Sequence, residues 1–235
     1  MNQKHKQLTE LQLSAEQREA LERWAETEFV YSTLRLEGVA VEHEDVARAG
    51  SVSVAATDSD RSATALLESL RTVTSLVRAK GQAARLTADL LLSLHKVPGE
   101  ASAFRSSAGE ARRVKPAPAE ALPVMIDSAC QWYTADSFTE LHPVEQASIV
   151  FLRLIEMQPF EAANERTALL AASLFTLRRE LPPIIIKPEK HAAYRAALDE
   201  GIRMNTKPMV ELIAEAVERS LEKMIRAIEE NKDKR

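Results

Sequence analysis

A chain of 235 residues with 45% hydrophobic and 28% charged residues can bury a sizeable core and is too apolar to remain disordered. Thirty-one Lys and Arg against thirty-five Asp and Glu leave a net charge of −4, which excludes a global basic field for nucleic acid or anionic lipid. Cys130 is the only cysteine, so neither an internal disulfide nor a cysteine-rich metal site can form, and a reducing compartment is the natural setting.

The six glycines offer few tight turns, which favours helix over sheet. The opening MNQKHKQLTELQLS has no apolar run of signal-peptide length, and no stretch reaches the roughly 20 apolar residues that span a bilayer. The expectation is a cytoplasmic protein with neither membrane nor nucleic-acid partners.

Ser14 is a fitting N-cap for a helix over 14–34, with Leu21, Trp24, Ala25 and Phe29 on one face. Gly38 ends it or the short turn after it. A weaker helix is expected over 42–49, and the small, polar stretch 50–60 reads as a loop. Residues 62–80 carry Ala65, Leu66, Leu70, Val73 and Val77 at helical spacing, with Gly81 as a stop. Thr87 caps a helix through Leu94, and Pro98 with Gly99 breaks the chain. Between 104 and 114 neither periodicity is convincing, and Pro116, Pro118 and Pro123 close the segment, so a short hairpin or flap is expected there. A helix follows over 122–133.

Residues 143–157 and 167–177 are nearly continuously apolar, which marks two central helices buried on most sides. Pro182 and Pro183 end the second; Ile184 to Ile186 cross as a short apolar strip. Helices over 189–202 and 206–229 complete an all-α chain with no internal repeat. It divides into an N-terminal helical segment, 1–85, and a core, 86–230, which together form one compact unit. Between the central helices lies QPFEAANER, a polar loop that is costly to bury unless its groups are satisfied, and hence the first place to look for a site.

At this loop a family resemblance becomes specific. QPFEAANERTAL, residues 158–169, resembles the H-P-F-x-[DE]-G-N-G-R-x-x-R motif of the Fic (Fido) family. The helices before it (LHPVEQASIVFLRLIEM) and after it (LFTLRRELPPIIIKPEKHAAYRAAL) are similar to the family's as well. Phe104 and Arg105 resemble its target-docking flap. FVYSTLRLEG resembles its inhibitory helix, [ST]-x-x-x-E-[GN], through Thr33, Glu37 and Gly38. The likeness runs from about residue 20 to about residue 225. It implies the Fic helical fold with two buried central helices and a short β-hairpin flap. It also implies AMP transfer from ATP·Mg²⁺: a His as general base, an acidic Mg²⁺ ligand, glycines that let backbone N–H groups close around phosphate, and two arginines to neutralise it.

Of nine specified motif positions this chain keeps Pro159, Phe160, Asn164 and Arg166. Gln158 replaces the His, and an amide cannot act as a base near pH 7. Ala162 replaces the metal ligand, Ala163 and Glu165 replace the glycines, and Leu169 replaces the second arginine. The expectations are therefore no metal site, no cofactor, and ATP and Mg²⁺ binding that is weak or lost. Gln158, Phe160, Asn164, Glu165 and Arg166 remain as ligand-binding positions. Thr33, Glu37 and Gly38 are regulatory positions, and Phe104 and Arg105 belong to the flap.

Each position also has a plainer reading. Gln158 can satisfy loop backbone groups instead of orienting a ligand. Glu165 suits a helix N-terminus, with Arg166 as its internal partner. Asn164 and Arg166 can bond one another or a small anion, and Glu161 reads as solvated surface. His142 fits a helix start; His5, His43, His95 and His191 lack metal-ligand spacing. Arg112, Arg113 and Lys115 form a small basic patch on the flap. Glu37 has lost its usual arginine to Leu169 and should turn to Arg166 or to solvent.

Two functions follow from this pattern. One is a divergent Fic-fold protein that binds or transforms a small molecule other than ATP·Mg²⁺. The other is a non-catalytic module acting through a protein partner, with homo-oligomerisation open; residual AMP transfer ranks third.

Overall fold

The structure, a computed structural model, describes residues 1–10, 13–49, 57–109 and 115–232. Among them all regular structure is helical: α1 (Asn2–Glu10), α2 (Ala15–Leu36), α3 (His43–Ala49), α4 (Asp58–Lys80), α5 (Ala88–Leu94), α6 (Leu122–Trp132), α7 (Asp136–Thr139), α8 (Pro143–Met157), α9 (Asn164–Leu177), α10 (His191–Ile202) and α11 (Lys207–Lys232). None is long and apolar enough to cross a membrane.

Side-chain caps set the starts of α2, α4, α5 and α8. The Ser14 hydroxyl accepts the Gln17 N–H at 3.2 Å and the Gln17 side chain takes the Ser14 N–H at 2.9 Å, a capping box that starts α2. Thr57 and Asp60 make the same box for α4, so the polar 57–60 opens a helix instead of ending a loop; the rest of that expected loop, 50–56, lies outside the described residues. His142 accepts the Val144 N–H through Nδ1 at 3.3 Å while Glu145 takes the His142 N–H at 3.0 Å, which places the His-Pro pair at the start of α8.

The α8 and α9 helices pack along each other, and α4 and α5 also pack against α9. Every residue of α9 from Thr167 to Thr176 is buried, which is why its apolar pattern is continuous instead of striped. The strip through Ile184 to Ile186 is buried too, and the Ser173 hydroxyl accepts the Ile184 N–H at 3.1 Å. The α2 helix packs on α4, α10 packs on α8, and α11 spans α1, α8 and α10. The expected β-hairpin is not present among the described residues. The segment 104–109 runs without strand pairing, its Arg105 N–H bonded to the Pro159 carbonyl at 2.9 Å, and 110–114, with Arg112 and Arg113, lies outside the described residues.

Candidate functional site

The α8 to α9 connection is held by its own residues. The α8 helix ends at Gln158 with φ 45°, and α9 starts after Ala163 with φ 54°, both in the left-handed region that favours glycine. Asn164 closes the loop between them: its Nδ2 donates to the Phe160 carbonyl at 2.8 Å and its Oδ1 accepts the Phe160 N–H at 3.0 Å. Phe160 is buried and stacks on His95 at 3.8 Å with an interplanar angle of 4°. The Thr167 hydroxyl donates to the Ala163 carbonyl at 2.9 Å, so His95 Nδ1, 3.2 Å from that hydroxyl, is the protonated ring nitrogen. Burial first, and then the Arg166 charge, push the His95 pKa down to about 4.

Arg105 lies under the loop. It is 3% exposed. Its guanidinium donates to the carbonyls of Gln158 (2.6 Å), Ser107 (2.7 Å), Met157 (3.3 Å) and Ala117. The loop carbonyls that an amide at 158 is expected to serve are thus held by arginine, and Gln158 lines the cavity described below. Phe104 packs on Phe160, ring centroids 5.7 Å apart. Glu161 is exposed but bonded: it accepts the Ser107 hydroxyl at 2.8 Å, and that bond draws its carboxyl below the ordinary range.

The two charged motif residues have partners from other helices. Glu37 caps the end of α2 and takes the Arg166 backbone N–H through Oε1 at 3.1 Å and its Nε through Oε2 at 2.7 Å. The carboxylate therefore sits at the N-terminus of α9, where an anion is favoured. Burial raises the Glu37 pKa, and Arg166 opposes that rise. Glu165 does not pair with Arg166: it accepts the Tyr194 hydroxyl at 2.8 Å and Arg195 Nη1 at 2.7 Å. Asn164 and Arg166 do not bond each other. Leu169, at the second arginine position, is 2% exposed within the core.

These groups border a cavity of about 690 Å³. Glu37, Gln158, Glu161, Asn164, Glu165 and Arg195 supply its polar lining, and Ile155 and Leu198 part of its apolar surface. Gly38, at φ 83°, also lines it, whereas Thr33 is buried within α2 and does not. Among the described residues no group of three or more His, Cys, Asp or Glu could hold a metal ion. Four participants escaped the sequence reading: His95, Ser107, Tyr194 and Arg195. No local pattern marks them, since each meets the loop from a distant part of the chain.

The arrangement is two buried helices joined by a loop that closes on an N-terminal helix. Residues 85–176 match the Fic/DOC family. The chain is 27% identical over 154 residues to protein adenylyltransferase fic-1 of Caenorhabditis elegans, covering 63% of this chain and 30% of that protein. It is also 27% identical over 162 residues to protein adenylyltransferase Fic of Nematostella vectensis, covering 66% and 37%. The chain thus spans about a third of the length of these relatives. The fold matches a C. elegans Fic-1 structure (residues 134–508) with a TM-score of 0.87 at 21% identity, over 98% of this chain and 71% of that one. It matches a Fic-domain signalling protein from Bacteroides thetaiotaomicron with a TM-score of 0.82 at 22% identity, over 96% and 95%.

Proposed function

We propose that this Fic-fold protein binds a small ligand other than ATP·Mg²⁺ in the cavity beside the α8 to α9 loop and does not transfer AMP. The observation that carries the reading is the seat of Glu37: its carboxylate occupies the Arg166 backbone N–H at 3.1 Å, where a phosphate oxygen would need to be received. The residues present do not fit the nucleotide and its metal. Gln158 cannot take a proton from a target hydroxyl, Ala162 offers a methyl instead of a carboxylate, and Arg166 is already paired. Glu161 and Glu165 add negative charge to the lining. In this reading residues 1–85 act as the segment that delivers Glu37, and 86–230 as the core that presents the cavity. Incubation with labelled ATP, Mg²⁺ or Mn²⁺ and cell lysate should leave no labelled protein, and calorimetry should show no ATP binding below millimolar concentration. Label incorporation abolished by Arg166→Ala would overturn the reading.

A second reading, a module that acts by protein contact, is favoured by the surface of α6. Val124 (70% exposed) and Trp132 (46% exposed) stand two helical turns apart on one side of it. A structural relative, IbpAFic2, has been seen tethered to Cdc42, at a TM-score of 0.50 and 14% identity to this chain. Trp132→Ser, compared with the parent chain by sedimentation, tests whether this face mediates self-association.

A further inference from the structure

At the end of α9 remote from the cavity, roughly 20 Å along its 14 residues, arginines gather with no carboxylate of the described residues paired to them. Arg178 closes the helix and is 7% exposed. Its guanidinium lies 4.3 Å from the Phe175 ring centroid and donates to Gln146 Oε1 at 2.7 Å and to the Ala84 carbonyl at 3.4 Å. The Gln146 amide nitrogen donates to the carbonyls of Phe138 (3.0 Å), Thr139 (3.1 Å) and Leu141 (3.0 Å), so the oxygen that holds Arg178 is fixed in orientation.

Arg179 is exposed and reaches the same neighbouring turn, with Nη1 donating to Gln82 Oε1 at 2.8 Å. The residue after Ala84 is Arg85, also exposed. The three guanidinium groups sense one another: after burial, Arg85 and Arg179 are what push the Arg178 pKa down to about 10. None of the three forms an ion pair with a carboxylate of the described residues, whereas Arg71, Arg166 and Arg195 each have one. Glu180, next in the chain, is exposed on left-handed backbone at φ 60° and pairs with none of them.

The carbonyls at the end of α9 account for a cation at Arg178. They do not account for two exposed guanidinium forks beside it in a protein of net charge −4. We propose that Arg85 and Arg179, which flank the turn at 82–84 that Arg178 bonds, bind a phosphoryl group, a site separate from the cavity at the other end of the helix. Planar forks match phosphate oxygens, a bound dianion relieves the repulsion among the three cations, and the buried Arg178 adds its field.

The test titrates inorganic pyrophosphate, and separately a phosphoserine pentapeptide, into ¹⁵N-labelled protein at constant ionic strength. Amide shifts are expected at 82–86 and 178–180. Binding should weaken at least tenfold in the double variant Arg85→Gln, Arg179→Gln, whose positions are exposed and leave the core intact. Tighter binding of the peptide identifies a phosphoprotein as the source of the group, and tighter binding of pyrophosphate a free phosphate. Shifts centred on 158–166, shifts scattered over surface lysines, no shift with either probe, or an undiminished response in the double variant would overturn the proposal.

Discussion

Glu37 engages Arg166 through both of its oxygens, one on the backbone N–H at 3.1 Å and the other on Nε at 2.7 Å and Nη2 at 2.6 Å. One carboxylate thus caps α9 and neutralises its third residue, fastening the end of α2 to the start of the second central helix. Both side chains are 14% exposed, so breaking the pair from either side strands a charge that water cannot fully reach. Glu37→Ala and Arg166→Ala should each destabilise the fold by about 2–3 kcal/mol, and the double variant should cost less than their sum by about 1–3 kcal/mol. Urea denaturation of the four proteins measures the coupling. Additive losses would show that the two residues do not stabilise each other.

Ala163 is expected to carry strain of a different kind. It sits at φ 54°, at a motif position where the family has glycine, and its carbonyl is fixed by the Thr167 N–H at 3.1 Å and the Thr167 hydroxyl at 2.9 Å. The left-handed conformation costs a β-carbon roughly 1–2 kcal/mol, of which the greater freedom of glycine in the unfolded chain takes back about 0.4–1. Ala163→Gly should therefore stabilise the protein by about 0.5–1 kcal/mol in chemical denaturation. A lower midpoint for the glycine variant would mean that the loop adapts to the methyl without strain.

The parts of this architecture that were legible in the sequence are those that short-range chemistry decides. Ser14 and Thr87 announce their helices as caps, and the unbroken apolar runs of α8 and α9 announce burial. For Glu37 the loss of arginine at Leu169 left only Arg166 or water, and the pair formed is one of those two. What sequence spacing cannot show is which distant side chain arrives. The α1 helix is held by Lys4 bonding Glu218 and Glu222, at the other end of the chain. By sequence Glu165 pairs with its neighbour Arg166, but α10 brings it Tyr194 and Arg195 instead. Arg105 reads as a flap residue because its partners are carbonyl groups, which leave no trace in side-chain identity.

His95 ties stability to pH. Its folded pKa of about 4 lies below the ordinary 6.5, so as pH falls the unfolded chain takes up a proton before the folded one does. Stability is fully present above about pH 6.5 and is lost progressively down to about pH 4. Between pH 7 and 5 this amounts to about 2 kcal/mol. Glu37, raised above the usual carboxylate range by burial, works in the opposite sense but is common to parent and variant. His95→Phe keeps a ring against Phe160 and removes the titration, so its stability should change less across that window by about the same amount. Parallel pH profiles for the two proteins would show that His95 titrates normally.

Restoring the family's base should not restore its reaction. Gln158→His would place an imidazole at the end of α8, yet the base acts only once a nucleotide is held with its α-phosphate in reach. Three obstacles remain around that position. Glu37 occupies the Arg166 N–H at 3.1 Å, Glu165 presents a carboxylate at the second glycine position, and Leu169 stands 2% exposed where a phosphate-binding arginine would be. Removing the first of them with Glu37→Ala frees the α9 N-terminus, but Ala162 still offers no metal ligand and the cavity keeps the carboxylates of Glu161 and Glu165. Both Gln158→His and the double variant Gln158→His, Glu37→Ala should therefore leave labelled AMP incorporation at background, measured beside a Fic adenylyltransferase with an intact motif. Incorporation by either variant at the level of that control would show that the loop still receives the nucleotide, and that the histidine alone had been missing.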